Sequence, residues 1–198
     1  MDSKPAEPRS RGANVARRHT LPRSALALVI GVLLGACATP IARHSASPAP
    51  AAAGATILIV RHAEKATDDA RDPTLTAAGE QRAARLATLL AAEPVQAVYA
   101  TAFRRTQATA APTAHAKNLP VSTYDAAMPA ADFARRLRET HARGTVLVVA
   151  HSNTAPAIAS ALCDCPVEPM PETEYGRYFR LVPAADRSAP LSLVSVAW

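Results

Sequence analysis

Two short apolar segments, each followed by ionisable residues, constrain the fold of this chain more than any other feature. Ile57–Val60 runs directly into Arg61 and His62, and Thr145–Ala150 runs directly into His151. Uninterrupted β-branched runs of this kind predict strands that are buried on both faces of a sheet. In open α/β sheets the ligand-binding cleft lies beyond the carboxyl ends of such strands. The sequence therefore predicts that both histidines reach one cleft.

Strand-like and helix-like segments alternate along the chain from about residue 56. Runs of β-branched residues are separated by stretches in which apolar residues recur at helical spacing. This alternation predicts a mainly parallel open sheet with helices on both faces. The other strands are predicted at residues 97–100, 121–124, 178–182 and 191–196, and the helices after an N-cap at Thr76, over 102–116 with Thr101 as N-cap, around Phe133 and Leu137, and over 155–162.

The positive charge of the chain is concentrated at its N-terminus. Residues 1–36 hold six of the 22 Lys and Arg and two of the 16 Asp and Glu, so 16 basic and 14 acidic side chains remain. A chain that is nearly neutral beyond residue 36 gives no charge-based support for nucleic-acid binding. We therefore expect no nucleic-acid partner. The length of 198 residues is enough for one domain with a sizeable core.

The N-terminal segment resembles the export signal of a bacterial lipoprotein. Its basic stretch is followed by the apolar run Ala25–Leu34, which is short for a membrane span but suits a signal peptide. Leu34-Gly35-Ala36-Cys37 resembles a lipobox, which implies a signal peptide over residues 1–36 and lipidation of Cys37. The Ala-, Pro- and Ser-rich composition that follows predicts a tether over residues 37–54. The alternative is a buried helix with an incidental cysteine.

The residue after the cysteine bears on location. By resemblance to lipoprotein sorting, Ala38 favours the outer membrane, with a domain over residues 55–198 facing the periplasm and held to the membrane by its lipid. Twin-arginine export through Arg17-Arg18 is a weaker alternative, because the rest of that motif is poorly matched.

Cys163 and Cys165 are the other two cysteines of the chain. In an oxidising compartment they can pair, although only one residue separates them. The sequence leaves a disulfide and two free thiols equally open.

Four residues form a set that suits phosphoryl chemistry: Arg61, His62, Arg105 and His151. Guanidinium groups bind the negative charge that is spread over a phosphoryl group. A histidine can act as the nucleophile and give a phosphohistidine that water then hydrolyses. Arg104 and Arg105 lie about 100° apart around a helix, so only one of them faces the cleft.

The order of the motifs resembles the histidine phosphatase superfamily, whose fold is phosphoglycerate mutase-like. Arg61-His62-Ala63-Glu64 resembles the signature Arg-His-Gly-Glu, with alanine in place of the glycine. Leu75–Ala83 resembles the block Leu-Thr-x-x-Gly-x-x-Gln/Arg-Ala, and Thr101–Ala110 resembles Ser-x-x-x-Arg-Ala-x-x-Thr-Ala. Val148–Thr154 resembles the strand that bears the second histidine. The four blocks stand in the family's order and cover residues 56–162.

The resemblance implies a role for each matching position. His62 is the nucleophile, and Arg61, Arg105 and His151 bind the phosphoryl group and stabilise its transfer. It implies a metal-independent phosphatase without a cofactor, in the small single-domain branch, acting on a small phosphorylated substrate. No pattern in the sequence specifies an oligomeric state.

The residue that protonates the leaving group has no clear match. Ser152 stands where the acid-phosphatase branch has an aspartate directly after its second histidine. Asp125, at the carboxyl end of the third predicted strand, is the candidate general acid, with Glu64 and Asp132 as alternatives.

Three further functions fit parts of the pattern. A phosphohistidine or protein phosphatase fits the short connections, which leave the site open. A non-catalytic phosphate-binding domain of the cell envelope fits the lack of a clear general acid. A mutase fits less well, because its sugar-phosphate substrates are cytoplasmic.

Overall fold

The computed structural model of the chain describes residues 54–184, 186 and 189–197. The predicted signal peptide, Cys37 and all of the predicted tether except Gly54 lie outside the described residues. Within the described part of the chain, no helix combines the length and apolarity that a membrane crossing requires.

Six strands of the described chain form one mixed sheet. From one edge to the other their order is β3, β2, β4, β1, β5, β6, and the first four of these are parallel. Strands β5 and β6 extend the sheet in antiparallel fashion beyond β1. The strands are β1 (Thr56–Arg61), β2 (Val95–Ala100), β3 (Val121–Thr123), β4 (Thr145–Ala150), β5 (Arg177–Val182) and β6 (Ser192–Ala197).

Helices cover both faces of the sheet because the side chains of each central strand alternate between two cores. Leu58 and Val60 of β1 pack in a cluster with residues of the first two helices, and Ile57 and Ile59 pack in a cluster with residues of the other two. Each fully buried side chain of this size contributes about 1.5–3 kcal/mol to folding. The helices are α1 (Ala77–Leu89), α2 (Arg104–Ala116), α3 (Ala130–Thr140) and α4 (Thr154–Cys163).

The predicted fold class, a mainly parallel sheet with helices on both faces, is confirmed. Thr76 caps α1 as expected, since its side chain accepts a hydrogen bond from the Gly79 N–H at 3.1 Å. The expected N-cap at Thr101 is wrong, because α2 begins at Arg104 and its N-cap is Phe103. The Thr101 hydroxyl instead hydrogen-bonds with the buried side chains of Thr106 and His151.

Cys163 and Cys165 are joined by a disulfide at the end of α4, with 5.1 Å between their Cα atoms. The residue between them, Asp164, has a φ of +50°, in the left-handed region. The structure thus resolves the alternative that the sequence left open in favour of a pair.

The first turn of α1 packs directly against the loop that follows β1. A Cβ atom on Gly79 would lie only 2.4 Å from the backbone oxygen of Glu64. That oxygen also accepts a hydrogen bond from the Thr76 N–H at 2.9 Å. The Glu64 carboxylate receives the Arg82 guanidinium at 2.6–2.9 Å. Residues 76–82 therefore brace the backbone two residues beyond His62.

We predict that Gly79→Ala destabilises the domain, although alanine normally favours a helix. The added methyl group must displace the Glu64 backbone, and overpacking of this kind costs about 1–3 kcal/mol. The check is a lower Tm in thermal unfolding. Ala78→Gly, at the neighbouring exposed position, is the control and should lose only about 1 kcal/mol through helix propensity. An unchanged or raised Tm for Gly79→Ala would contradict the bracing role.

Candidate active site

Two histidines stand side by side where the central strands end. The register of β1 and β4 pairs Arg61 with Ala150, so His62 and His151 occupy equivalent positions on neighbouring strands. The His62 N–H donates to the Ala150 carbonyl at 2.9 Å. Both side chains are buried, and their ring centroids are 5.4 Å apart. The structure therefore brings together the two histidines that the sequence predicted to share a cleft.

The backbone holds His62 in one tautomer. Its Nδ1 lies 2.8 Å from the Ala63 carbonyl oxygen. Because a carbonyl can only accept, Nδ1 carries the proton and Nε2 keeps its lone pair. Burial lowers the pKa of His62 to about 3, with further lowering by the positive charges of Arg61, His151 and Arg105. The imidazole is therefore neutral near pH 7, the form that a nucleophile requires.

A threonine pair positions His151. The Oγ1 atom of Thr101 lies 3.0 Å from His151 Nε2 and 2.8 Å from Thr106 Oγ1. The Thr106 hydroxyl also donates to the Phe103 carbonyl at 2.7 Å. Burial, together with Arg105 and Arg61, lowers the pKa of His151 to about 4. Nδ1 is then the nitrogen of His151 that remains for a ligand.

Of the two adjacent arginines that open α2, Arg105 faces inward. Its side chain is 13% exposed, whereas that of Arg104 is 54% exposed. The Arg105 guanidinium stacks 4.4 Å from the centroid of the Phe103 ring. Its Nε and Nη1 atoms are buried without a hydrogen-bond partner, and Asp72 is 3.7 Å from Nη1. Buried donors of this kind are left for a ligand oxygen.

Arg61 has a structural role that the sequence did not predict. Its Nη1 donates to the carbonyls of Pro171 and Glu174, both at 3.0 Å, and its Nη2 donates to a Glu172 carboxylate oxygen at 2.9 Å. The guanidinium also lies 4.2 Å from the centroid of the Tyr175 ring. Only Nε is buried without a hydrogen-bond partner. Arg61 therefore holds the segment before β5 in place and retains one unused donor.

The cleft is open and strongly polar. Its volume is about 390 Å³, and the first residues of α4 lie at its floor, where a helix N-terminus favours an anion. The lining residues are His62, Lys65, Phe103, Arg105, Ala126, His151, Ser152, Asn153, Thr154 and Glu172. The site is thus suited to a small anion with an exposed substituent.

Glu172 and Tyr175 are site residues that sequence reasoning missed. They belong to the irregular segment between α4 and β5, and Tyr175 lies 6.2 Å from His62 between ring centroids. This segment has neither periodicity nor a motif that resembles the family. Its approach to the cleft depends on Arg61, so no local sequence signal could have identified it.

The three carboxylates proposed from the sequence lie elsewhere in the fold. Asp125 is exposed, its carboxylate accepts from the Ala127 N–H at 2.9 Å, and it borders a hollow adjacent to the cleft. Glu64 is paired with Arg82, which lowers its pKa. Asp132 lies on the exposed face of α3. Its role as an acid, like that of the other two, stays a prediction.

No group of three or more His, Cys, Asp or Glu side chains is arranged to hold a metal ion among the described residues. Arg105 and Lys65 supply the positive charge of the cleft lining, and the buried guanidinium of Arg61 adds to the positive potential at His151.

Comparison with known proteins agrees with this arrangement. Residues 57–129 match the family model described as Histidine phosphatase superfamily (branch 1). No curated protein matches the chain. The matched segment includes His62 and Arg105 but ends before His151, whose place in the site rests on the structure.

Solved structures with the same fold cover most of the described chain. The protein histidine phosphatase SixA, complexed with tungstate, is 22% identical with a TM-score of 0.56, over 72% of this chain and 96% of that one. A putative alpha-ribazole-5'-P phosphatase from Escherichia coli str. K-12 substr. MG1655 is 17% identical with a TM-score of 0.57, over 73% and 96%. A mycobacterial glucosyl-3-phosphoglycerate phosphatase is 17% identical with a TM-score of 0.51, over 73% and 98%. At these identities the likeness establishes the fold alone.

The family match and the shared fold point to the same group of proteins. Residues 57–129 are similar to the histidine phosphatase superfamily, and the described domain shares its fold with the three phosphatase structures.

We predict that the stability of the domain falls as the pH is lowered from 7 to 5. In the native state His62 and His151 have pKa values of about 3 and about 4, below the ordinary value of 6.5. Below pH 6.5 the unfolded chain therefore binds more protons than the native chain, and acid favours unfolding. Their contribution to stability is complete above about pH 6.5, and for His62 it decreases by up to about 1.4 kcal/mol per pH unit below that.

The measurement is the Tm as a function of pH for the wild type and for His62→Gln. The variant should show a smaller decrease, because one buried histidine is gone. His115→Gln, which replaces an exposed histidine of α2, is the control and should keep the wild-type slope. Identical slopes for all three proteins would show that His62 is not held neutral by the fold.

Proposed function

We propose that this protein is a phosphomonoester hydrolase that acts through a phosphohistidine on His62. One observation carries the proposal: a neutral imidazole of fixed tautomer stands beside buried guanidinium donors that have no hydrogen-bond partner in the described chain. The imidazole supplies the nucleophile, and the donors suit the charge of a transferring phosphoryl group. The unsatisfied guanidinium donors do not contribute to stability, because buried polar atoms without a hydrogen bond cost free energy.

The proposed mechanism assigns a role to each residue. The lone pair on His62 Nε2 attacks phosphorus, and the bond to the leaving oxygen breaks. Arg105 through Nε and Nη1, and Arg61 through Nε, donate to the phosphoryl oxygens as their charge shifts. His151, held at Nε2 by Thr101, presents Nδ1 to the same group. Water then attacks the phosphohistidine, releases inorganic phosphate and returns the electron pair to Nε2. These residues supply the charge stabilisation, so we propose that the enzyme needs no metal and no cofactor.

The relatives support phosphatase chemistry without fixing the substrate. The named structures are described as phosphatases of a protein histidine, of a ribazole phosphate and of a glucosyl-3-phosphoglycerate. We propose a small phosphorylated substrate, because the cleft is polar and open and has a volume of about 390 Å³.

The N-terminal sequence supports a place in the cell envelope. The basic, apolar and small-residue pattern up to Cys37 supports an outer-membrane lipoprotein that faces the periplasm, with the phosphatase domain attached through the tether. The substrate would then be a phosphorylated compound of that compartment.

Phosphoprotein is a second candidate substrate. The side chains of Lys65 and Glu172 at the mouth of the cleft are 43% and 68% exposed, so a protein surface has access to the site. Faster release of phosphate from a phosphohistidine-containing protein than from sugar phosphates and nucleotides would favour this alternative.

We predict that His62→Ala abolishes phosphate release from an aryl phosphate by the purified full chain, because the nucleophile is removed. Wild-type activity should be inhibited by vanadate and should persist in a chelator. His115→Ala, at an exposed position of α2, is the matched control and should retain wild-type activity. Full activity in His62→Ala would refute the nucleophile. Binding of vanadate by a wild-type chain that shows no turnover would select the non-catalytic phosphate-binding domain.

We also predict different effects for the two adjacent arginines of α2. Arg105→Ala should lower kcat by about 10²–10³-fold, the usual effect of losing a donor to a developing charge. Arg104→Ala, one residue away and exposed, should stay within a few-fold of the wild type. The measurement is kcat and KM for both variants on one aryl phosphate. Equal losses would contradict the inward placement of Arg105.

A further inference from the structure

Glu172 brings a carboxylate to the lining of the cleft that holds the two histidines. One of its oxygens accepts from the Ser152 hydroxyl, and the other lies 2.9 Å from Arg61 Nη2 and 3.9 Å from Lys65 Nζ. Among the residues that line the cleft, Glu172 is the acidic one. Its side chain is 68% exposed to solvent. Ser152 directly follows His151, so Glu172 reaches the position beside the second histidine from a distant part of the chain.

Two arginine side chains hold the segment that carries Glu172 in place. Arg61 binds the carbonyls on either side of this residue, at Pro171 and Glu174. Arg177 at the start of β5 binds the Glu174 carboxylate at 2.8 Å and the Pro169 carbonyl. The backbone at Glu172 is therefore held beside the cleft, while its side chain is exposed to solvent.

Other acidic residues near the cleft are already engaged. Asp72 accepts from the Arg104 N–H at 2.8 Å and lies 3.7 Å from Arg105. Glu64 is paired with Arg82, and the Asp125 carboxylate caps the Ala127 N–H. None of these three lines the cleft, whereas Glu172 does.

We propose that Glu172 is the proton donor to the leaving group, an inference that rests on the proposed phosphatase function. As His62 Nε2 bonds to phosphorus, the phosphorus–oxygen bond of the ester breaks and the departing oxygen takes the proton of the Glu172 carboxyl. In the second step the resulting carboxylate accepts a proton from the attacking water, and the phosphorus–nitrogen bond breaks. Each cycle consumes one water, releases alcohol and phosphate, and leaves Glu172 protonated again.

We expect substrate binding to favour the protonated form of Glu172. In the free site, the Ser152 hydrogen bond, assisted by Arg61 and Lys65, lowers the pKa of Glu172. A bound phosphoryl group competes for Arg61 and places negative charge beside the carboxylate. Both effects favour the neutral acid. The groups that face Glu172 are Ser152, Arg61, Lys65 and His62.

The test compares two substrates that differ in their need for an acid. An aryl phosphate with a stable phenolate leaving group needs little protonation, whereas an alkyl phosphate releases a strongly basic alkoxide. The parameter is kcat/KM, which covers the steps up to departure of the leaving group and is independent of later hydrolysis of the phosphohistidine. The full-length variants are Glu172→Gln, Asp125→Asn as the rival acid, and Glu174→Gln as a control for disturbance of the same segment.

For Glu172→Gln we expect kcat/KM on the alkyl phosphate to fall by about 10²–10⁴-fold, and kcat/KM on the aryl phosphate to stay nearly unchanged. The retained aryl activity shows that the variant is folded. Asp125→Asn and Glu174→Gln should affect both substrates alike and weakly.

Equal losses on both substrates in Glu172→Gln, or a selective loss in Asp125→Asn instead, would overturn the assignment while leaving the proposed function intact. If the wild-type chain released phosphate from neither substrate, the proposed function itself would be refuted, and the role of Glu172 with it.

Discussion

The parallel pairing of β1 with β4 is the constraint on which the site depends. Its register sets Arg61 opposite Ala150 and so places His62 and His151 next to each other at the edge of a buried sheet. Burial at that position lowers the pKa of both imidazoles. The same strand end delivers Arg61, which fixes the segment that carries Glu172. One backbone register therefore determines the position of the proposed nucleophile, its protonation state and one wall of the cleft.

Several residues of the family-like blocks act by holding these groups in position. The Thr109 hydroxyl accepts from the Ala63 N–H at 3.0 Å and donates to the Arg105 carbonyl at 2.7 Å, so it links the loop after His62 to α2. Thr101 positions His151, and the turn at Gly79 supports the Glu64 backbone. Preorganisation of this kind avoids reorganising the site during reaction.

Much of the fold could be predicted from local patterns, whereas the cleft could be predicted only in part. Strand runs such as Thr145–Ala150 and the cap at Thr76 are encoded by neighbouring residues, and the structure has both. The prediction that Arg105 faces the cleft depended on the family resemblance. Helical geometry shows that Arg104 and Arg105 point in different directions, but it does not show which of them points inward. Glu172 could not be predicted, since its place depends on contacts with Arg61, 111 residues away. The predicted N-cap at Thr101 is wrong because its hydroxyl hydrogen-bonds with Thr106 and His151, contacts that local sequence does not encode.

The central claim is that His62 carries the phosphoryl group during turnover, and trapping that intermediate tests it most directly. The full chain would be mixed with ³²P-labelled aryl phosphate, quenched in base within the first turnovers and digested for peptide mapping. The account predicts a phosphoramidate label that survives base, is lost in acid and maps to His62. A label on another residue, or turnover without any label, would contradict it.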